Sequence, residues 1–401
     1  MIKNLLILGA GIESIEAYLQ IKKYKCKLVI ADNNPEAPGV KYADIFIKSS
    51  IHSYSQILEK LRLKKIKIHG IISFGDVSYV ETKLSKYFKI KTIPLESAKI
   101  TSNKFLFKKK MKNYFNIPYF EKISSLRKLK NIITKKKNNF IIKPVDSSGA
   151  RGVIVINKKS DLKWAYKYCK KYSKNKYLII EKFINGPQLS TEGIVFNGEY
   201  IHLCTFDRNY EMIKKYNPFI IENGGSTPSK IGDRYQSKII KILSKISKKL
   251  KLYNASIKGD LIINGNRIYL IEIATRLSGG WLSSVTIPNC SGVNILDYKI
   301  RNALNLQIDK NNLIPRYKRI VIQRYLFPKI GKIKSINLKN RSLLNNKNIL
   351  AFKIFVKEGK IIDKIDSHAS RIGHVIVKGQ SFSKGVLFAN KILNNIDIKY
   401  H

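Results

Sequence analysis

Continuous apolar runs that end at glycine or acidic turns dominate the N-terminal part of the chain. Buried strands of a parallel sheet have this appearance, whereas amphipathic helices repeat their apolar residues with a period near 3.6. The pattern predicts a strand and glycine turn at residues 4–11, strands at 27–31 and 68–74, and helices at 14–24 and 54–63. Strands that alternate with helices indicate a small α/β domain over residues 1–95.

The pattern changes after Pro94, where a basic helical segment at residues 97–114 precedes a series of short strands. Strands are predicted at residues 139–144, 153–156, 255–263, 267–274, 320–327, 350–358 and 374–377, and helices at 238–252 and 383–393. Strands predominate from about residue 316 onward. The fold class is therefore α/β and α+β, with a β-rich C-terminal part.

Composition indicates a folded protein, because 44% of the 401 residues are hydrophobic and 26% are charged. The formal net charge of +49 raises nucleic acid or an anionic membrane as partners. The lysines, however, are spread through nearly every segment beside abundant Ile, Asn and Tyr, as a genome rich in A and T would encode. We therefore expect no nucleic-acid partner.

The cysteines and the apolar runs indicate the cellular compartment in which the protein is expected. Four cysteines lie far apart, without the spacing of a zinc site or a disulfide framework. No apolar stretch reaches the roughly 18 residues that span a bilayer. We expect a soluble, cytoplasmic protein without a membrane partner.

The glycine turn favours a dinucleotide site only weakly. Gly9 and Gly11 are followed by Glu13 and Ser14 rather than by a third glycine, although Asp32 stands about 20 residues later, as in Rossmann folds. A Rossmann-type oxidoreductase remains an alternative, but it explains none of the features below.

Two acidic residues occupy the predicted hairpin formed by residues 255–263 and 267–274. Their spacing places the carboxylates of Asp260 and Glu272 side by side on one face. Adjacent carboxylates repel each other unless a cation lies between them, and oxygen ligands favour Mg2+ or Mn2+. Two acids on a solvated face are the alternative, which the apolar neighbours of both residues disfavour.

Lys143 ends an apolar strand directly before a loop of small residues at 146–152. The backbone amides of such a loop can hold an anion that the ammonium group also reaches. The loop joins two strands and lacks Gly-Lys-Ser/Thr, so it is not a P-loop. A lysine that merely caps a strand is the alternative in so lysine-rich a chain.

Six short motifs follow one another over about 180 residues. They are Asn103-Lys104, Ile142-Lys143-Pro144, Ser147-Ser148-Gly149 with Gly152, Glu181-Lys182-Phe183-Ile184 with Gly186, Asp260, and Glu272 with Arg276 and Gly279-Gly280. Their order resembles the ATP-grasp ligases, in particular the carboxylate-amine branch that includes carbamoyl-phosphate synthase large subunits and L-amino acid ligases. The resemblance extends to residues 32–44 and 371–379.

The resemblance implies an ATP-grasp fold with an N-terminal Rossmann-like pre-ATP-grasp domain at residues 1–95. The ATP-grasp domain would occupy 96–315, with a lid at about 115–182, and a β-rich subdomain at 316–401 would complete it. Lys104 and Lys143 would hold the ATP phosphates. The loop with Ser147, Ser148 and Gly149 would cover the phosphates, while adenine would meet the hinge formed by Glu181, Lys182, Phe183 and Ile184.

By the same resemblance, Asp260 and Glu272 would bind Mg2+ or Mn2+. Lys258 would face the γ-phosphate of ATP. Arg276, with the backbone amides around Gly279-Gly280, would stabilise the acyl phosphate and the oxyanion of an ATP-dependent ligase that joins a small carboxylate to an amine. These substrates would contact residues 73–78, Glu192, residues 223–228 and Trp281.

Two positions depart from the family pattern. Gln188 stands where many relatives have a glutamate that binds ribose, and Ala274 replaces an asparagine that ligates the metal. A non-catalytic Mg-ATP-binding homologue is therefore a second alternative. Homodimers are common in the family, and the sequence leaves the assembly open.

Overall fold

A computed structural model describes residues 2–136 and 138–401, and its first layer is a parallel sheet. The elements of this layer are β1 (Asn4–Leu8), α1 (Ile15–Ile21), β2 (Lys27–Asp32), β3 (Ile45–Lys48), α2 (Tyr54–Leu63), β4 (Gly70–Ser73) and α3 (Ser78–Tyr87). The strand order is β3-β2-β1-β4, and every neighbouring pair is parallel. The apolar runs of β1 and β2 are almost fully buried, which confirms the predicted α/β arrangement.

The glycine turn after β1 is closed by its own neighbours. The carboxylate of Asp32 accepts hydrogen bonds from the backbone amides of Ala10 at 2.7 Å and Asn34 at 2.8 Å. The hydroxyl of Tyr18 donates to the carbonyl of Gly9. Both Asp32 oxygens therefore serve the backbone, which counts against the interpretation that this acid waits for a ribose.

The next segment begins with two helices where the sequence pattern predicted one, α4 (Leu95–Thr101) and α5 (Lys104–Met111). The break occurs at Asn103, whose extended backbone ends the preceding turn and whose side chain accepts from the amides of Phe105 and Leu106. This N-cap starts a new helix, with Lys104 as its first residue.

A small antiparallel sheet covers part of the chain that the sequence assigned to a lid. Its elements are β5 (Phe120–Ile123), α6 (Leu126–Lys135), β6 (Phe140–Pro144), β7 (Ile154–Ile156), α7 (Leu162–Lys171) and β8 (Leu178–Lys182), with the strand order β5-β8-β6-β7. Leu129 and Ile133 of α6 and Cys169 of α7 pack on the strands in one apolar core.

The remaining chain forms the central sheet and the helices that flank it. The elements are β9 (Gln188–Phe196), β10 (Glu199–Arg208), β11 (Gly225–Thr227), α8 (Gln236–Lys249), β12 (Ala255–Asn264), β13 (Arg267–Ala274), α9 (Ile287–Ser291), α10 (Ile295–Ala303), β14 (Val321–Leu326), β15 (Gly331–Leu338), β16 (Ile349–Ile354), β17 (Ile361–Ile362), β18 (Gly373–Lys378), α11 (Phe382–Asn394) and β19 (Ile396–Tyr400). Eight strands pair in the order β13-β12-β9-β10-β11-β14-β18-β16, all antiparallel.

This sheet crosses the expected boundary at residue 315, because β14, β16 and β18 extend it beyond β11. The helix α8 packs under β9, β12 and β13 through Ile239, Leu243 and Ile246. The strands β17, β15 and β19 form a separate small sheet. The C-terminal part therefore completes the central sheet rather than standing beside it.

Within the described ranges, no helix has both the length and the apolar surface needed to cross a membrane. All four cysteines are free thiols, and three of them are buried.

Asp32→Ala should lower the free energy of unfolding by about 1–3 kcal/mol, because two backbone amides lose their acceptor. Urea denaturation of the variant and the wild type measures this difference. Glu36→Ala is the matched control, since Glu36 is exposed and its side chain has no partner within the described ranges. Equal stabilities of the two variants would contradict a structural role for Asp32.

Candidate active site

A cavity of about 600 Å3 lies where the N-terminal domain, the lid sheet and the central sheet meet. Of the residues expected to contact the substrates, Glu192 and residues 223–228 do not line this cavity. The structure does bring together in it all of the residues that the resemblance assigned to ATP, the metal and catalysis. They are Lys104, Lys143, Ser147, Ser148, Gly149, Glu181, Lys182, Phe183, Ile184, Gln188, Lys258, Asp260, Glu272 and Arg276.

The two acids of the predicted hairpin are direct cross-strand partners. Asp260 on β12 pairs with Glu272 on β13, and a β-bulge follows immediately, so that Leu261 pairs with Leu270. Residues that oppose each other in an antiparallel ladder point to the same face of the sheet. Both carboxylates therefore line the cavity from adjacent strands.

Cations surround this pair. Lys258 Nζ lies 2.8 Å from Asp260 Oδ2, Arg208 lies 3.5 Å from the same atom, and Lys104 Nζ lies 3.2 Å from Glu272 Oε1. Burial by itself would raise the pKa of Asp260, but the charges of Lys258 and Arg208 hold that pKa below its ordinary range. Asp260 is therefore ionised at neutral pH.

The donor set fits a hard divalent cation. Two carboxylate groups on one face offer oxygen ligands only, and Mg2+ fills its remaining positions with water and phosphate oxygens. Ala274 lies opposite Lys258 in the ladder and supplies no ligand. Within residues 2–136 and 138–401, no group of three or more His, Cys, Asp or Glu side chains is arranged to hold a metal. A metal ion at Asp260 and Glu272 would therefore also need oxygen atoms from a bound nucleotide or from water.

Glu181 at the end of β8 holds two lysines. Lys143 Nζ lies 2.9 Å from Glu181 Oε1, and Lys108 Nζ lies 3.3 Å from Glu181 Oε2. Lys108 is fully buried, and burial lowers its pKa to about 8. The resemblance placed Glu181 in the hinge that adenine would meet, whereas in the structure its carboxylate is paired with these two lysines.

The loop of small residues is fixed from both sides. Lys104 Nζ donates to the carbonyl of Ser147 at 2.7 Å, and the amide of His368 donates to the carbonyl of Gly149 at 3.0 Å. Gly152 has a φ of +71°, and a Cβ there would lie 3.0 Å from Pro144 and Tyr172. The loop thus needs glycine at this turn and lies over the cavity in a defined conformation.

The hinge forms an apolar section of the cavity wall. The amide of Phe183 donates to the carbonyl of Asn139, and Ile141, Ile184 and Ile271 line the same cavity. Gln188 begins β9 opposite Ile262 of β12. A flat aromatic base would find apolar contact here.

Arg276 follows β13 and forms an ion pair with Asp76 of the N-terminal domain, with 2.5 Å between Nε and Oδ1. Although burial opposes both charges, the pair holds the pKa of Asp76 below its ordinary range. The Gly280 amide, expected to face an oxyanion, instead donates to Glu13 Oε2 at 2.6 Å. The Gly280 amide therefore already has a hydrogen-bond acceptor in this structure.

Sequence reasoning missed several charged residues of the wall. Arg208 and Arg371 both contact the buried carboxylate of Glu222, and Arg208 also reaches Asp260. The sequence gives no signal for Arg208, because the strand β10 that it ends was not predicted. Eight Lys or Arg side chains line the cavity against six Asp or Glu side chains, an excess of positive charge that suits a polyanion.

Glu192 lies on β9 beneath the segment that follows β13. Its carboxylate accepts a hydrogen bond from the amide of Ser278 at 3.2 Å. The side chain is almost fully buried, and burial raises its pKa to about 7. Glu192 does not line the cavity, so it supports the Arg276 segment rather than facing a substrate.

Comparison with known families gives two matches. The ATP-grasp domain model matches residues 101–280, and the model of the L-amino acid ligase C-terminal domain 2 matches residues 324–401. The first match contains every residue that the sequence analysis assigned to ATP, the metal and catalysis, and the second begins within β14.

Among curated proteins, a formate-dependent phosphoribosylglycinamide formyltransferase of Prochlorococcus marinus is 23% identical over 393 residues, covering 90% of this chain and 93% of its own length. Among solved structures, an L-amino acid ligase from Bacillus licheniformis superposes with a TM-score of 0.82 at 15% identity, covering 100% of this chain and 99% of that one. A phosphoribosylglycinamide synthetase from Anaerococcus prevotii gives 0.77 at 20% identity, covering both chains fully.

Glu192→Gln should stabilise the protein increasingly as the pH rises. The raised pKa means that between the ordinary value of 4.5 and about 7 the folded protein retains a proton that the unfolded chain has lost. The carboxyl group therefore destabilises the fold as the pH rises through this window, and fully above it.

Urea denaturation at pH 5, 6, 7 and 8 measures the effect. The stability gain of the Gln variant over the wild type should grow across this series to at most about 3 kcal/mol. A gain that does not change with pH would contradict the burial of a titrating carboxyl.

Proposed function

We propose that the chain, which matches the models of an ATP-grasp domain and of an L-amino acid ligase C-terminal domain, is an ATP-dependent ligase that forms carbon–nitrogen bonds through an acyl phosphate, with the cavity described above as its active site. ATP and Mg2+ are its cofactors. One observation carries the assignment of the site: two lysines, Lys104 and Lys143, and two acids, Asp260 and Glu272, line one cavity.

ATP would lie between the lid sheet and the central sheet. Lys104 and Lys143 are held by Glu272 and Glu181, so both ammonium groups are positioned before a phosphate arrives. The loop at 147–152 would cover the phosphates, and the apolar wall around Phe183 and Ile184 would take adenine. Gln188 would meet the ribose through its neutral amide.

Asp260 and Glu272 would hold Mg2+, which supplies neutralisation of the negative charge on the phosphate oxygens. The ionised state of Asp260 and the shared face of the two side chains support this role. Lys258 and Arg208 keep Asp260 ionised and add positive charge beside the same oxygens.

The reaction then needs positioning more than covalent help from the protein. The substrate carboxylate attacks the γ-phosphorus of ATP, the bond to the bridging oxygen breaks, and ADP leaves with an acyl phosphate formed. A neutral amine attacks the acyl carbon, inorganic phosphate departs, and the amine loses a proton. Arg276, which Asp76 orients, would stabilise the charge on the acyl phosphate and on the tetrahedral oxyanion.

Of the alternatives, a non-catalytic nucleotide-binding homologue is favoured only by Gln188 and Ala274, the two departures from the family pattern. Such a protein would bind Mg-ATP and release no ADP with any acceptor. An oxidoreductase is disfavoured by the internal hydrogen bonds of Asp32. A screen of carboxylates crossed with amines, read as ADP release against blanks with ATP alone, separates these functions.

Lys143→Ala and Glu272→Gln should each reduce ADP release by about 100-fold or more in that screen, because the first removes an ammonium group that would contact the phosphates and the second removes a carboxylate that would hold Mg2+. A coupled ADP assay measures the rates, and circular dichroism checks that the variants remain folded.

Lys122→Ala and Glu59→Gln are the matched controls. Lys122 lies over the ring of Tyr177, and Glu59 lies exposed on α2, so neither side chain lines the cavity. Both should keep wild-type rates. Near-normal turnover in Lys143→Ala or Glu272→Gln would contradict the role proposed for that residue.

A further inference from the structure

Lys108 is a buried cation that lies beside the cavity without lining it. Lys104 and Lys143 both contribute to the cavity wall, whereas Lys108 is fully buried behind that wall. Its ammonium group lies 3.3 Å from Glu181 Oε2 and donates to the carbonyl of Ile271 at 2.9 Å. Lys108 therefore connects α5 to β8 and β13, but it has no direct access to a ligand in the cavity.

Glu181 is the acid that Lys108 shares with Lys143. Its carboxylate is 2% exposed, with Lys108 beside one oxygen and Lys143 beside the other. A buried carboxylate that loses every cationic partner is strongly destabilised, because it has given up its hydration. One cation balances the charge of Glu181, so the second lysine brings a positive charge in excess.

The contact between Lys108 and Glu181 is ionic at neutral pH. Burial by itself would raise the pKa of Glu181, but the charges of Lys108 and Lys143 hold that pKa below its ordinary range. Burial lowers the pKa of Lys108 to about 8, although the charges of Glu181 and Glu272 oppose this shift. Lys108 is therefore mostly protonated at pH 7.

The contact between Lys143 and Glu181 is an ion pair without a directed hydrogen bond. Lys143 Nζ lies 2.9 Å from Glu181 Oε1. Among residues 2–136 and 138–401, however, this buried oxygen has no hydrogen-bond partner. The N–H groups of Lys143 are therefore available to a second acceptor, and the side chain lines the cavity in which the phosphates would lie.

A triphosphate in the cavity would compete with Glu181 for Lys143. If Lys143 were the sole counter-charge of Glu181, each move of Lys143 towards a phosphate would leave a buried carboxylate unpaired. Lys108 removes this conflict, because it stays beside Glu181 from the side that no ligand reaches. The excess positive charge of the three groups is then directed into the cavity through Lys143.

From these contacts, and resting on the proposed function, we infer that Lys108 is a positioning residue that balances Glu181 and thereby lets Lys143 bind the phosphates of ATP. Lys108 contacts neither nucleotide nor substrate. Its effect on ATP passes through Glu181 and Lys143, and it concerns the phosphates rather than the base.

Lys108→Met tests this inference, because methionine has a similar length and carries no charge. Calorimetry at pH 7 measures the dissociation constants of adenylyl imidodiphosphate with Mg2+ and of adenosine. The variant should bind the triphosphate analogue about 10-fold or more weakly than the wild type, since Lys143 must now leave Glu181 unpaired. Adenosine, which has no phosphate, should bind as in the wild type.

Lys109→Met is the matched control. Lys109 is the next residue of α5, is exposed and does not line the cavity. The substitution removes the same charge from the same helix, so both ligands should bind as in the wild type. Circular dichroism checks that each variant is folded.

The double variant Lys108→Met/Glu181→Gln separates charge balance from packing. It has the net charge of the wild type, and it contains no carboxylate that a move of Lys143 would leave unpaired. It should therefore regain most of the affinity for the triphosphate analogue that Lys108→Met loses. A packing defect at position 108 would persist in the double variant.

An unchanged affinity in Lys108→Met, an equal loss for adenosine and the analogue, or a double variant as weak as Lys108→Met would overturn the inference. If Lys143→Ala still weakens the analogue in that case, the proposed ATP site stands without it. The predicted binding pattern without ADP release, for any carboxylate and amine, would support the role of Lys108 and refute the ligase function. A wild type that does not bind the analogue would overturn both.

Discussion

The cross-strand pairing of Asp260 with Glu272 is the constraint on which the rest of the site depends. Antiparallel register places two carboxylates side by side, and two adjacent negative charges in a partly buried cavity are unstable without cations. Lys258, Arg208 and Lys104 supply these cations from three different parts of the chain. These ion pairs connect the hairpin to the strand β10 and to the helix α5.

Three further acids of the cavity are also paired with cations. Glu181 holds the lysines of the lid and of α5, Glu222 holds two arginines, and Asp76 reaches across from the N-terminal domain to Arg276. Buried ion pairs contribute little net stability, because desolvation offsets most of the attraction. Their value lies in holding cations in place before a polyanionic ligand arrives, so that little reorganisation remains for the reaction.

The sequence predicted the elements with strong local patterns and the residues that belong to ordered motifs. The hairpin of β12 and β13, the helix α2 and the lysine of β6 are examples whose signals lie within a few residues. The central strand β9 was not predicted, because the consecutive buried residues Ser190, Thr191 and Glu192 are polar and interrupt the apolar pattern that marks a strand.

Partners distant in sequence could not be predicted for a different reason. Asp76 and Arg276 are 200 residues apart, and Glu13 lies 267 residues from Gly280, so only the folded chain shows that they meet. The sequence predicts a single helical segment at residues 97–114, whereas the structure has two helices. The cap at Asn103 breaks the helical backbone without interrupting the helical pattern of the sequence. Local periodicity predicts elements, whereas tertiary contacts decide which charges are paired and which remain free.

A crystal structure with a non-hydrolysable ATP analogue and Mg2+ is the most direct test of the central claim. The account predicts phosphate oxygens within about 3 Å of Lys104 and Lys143, and a metal ion bound by both Asp260 and Glu272. A nucleotide bound at the Gly9–Gly11 turn, or a metal that contacts neither acid, would contradict it.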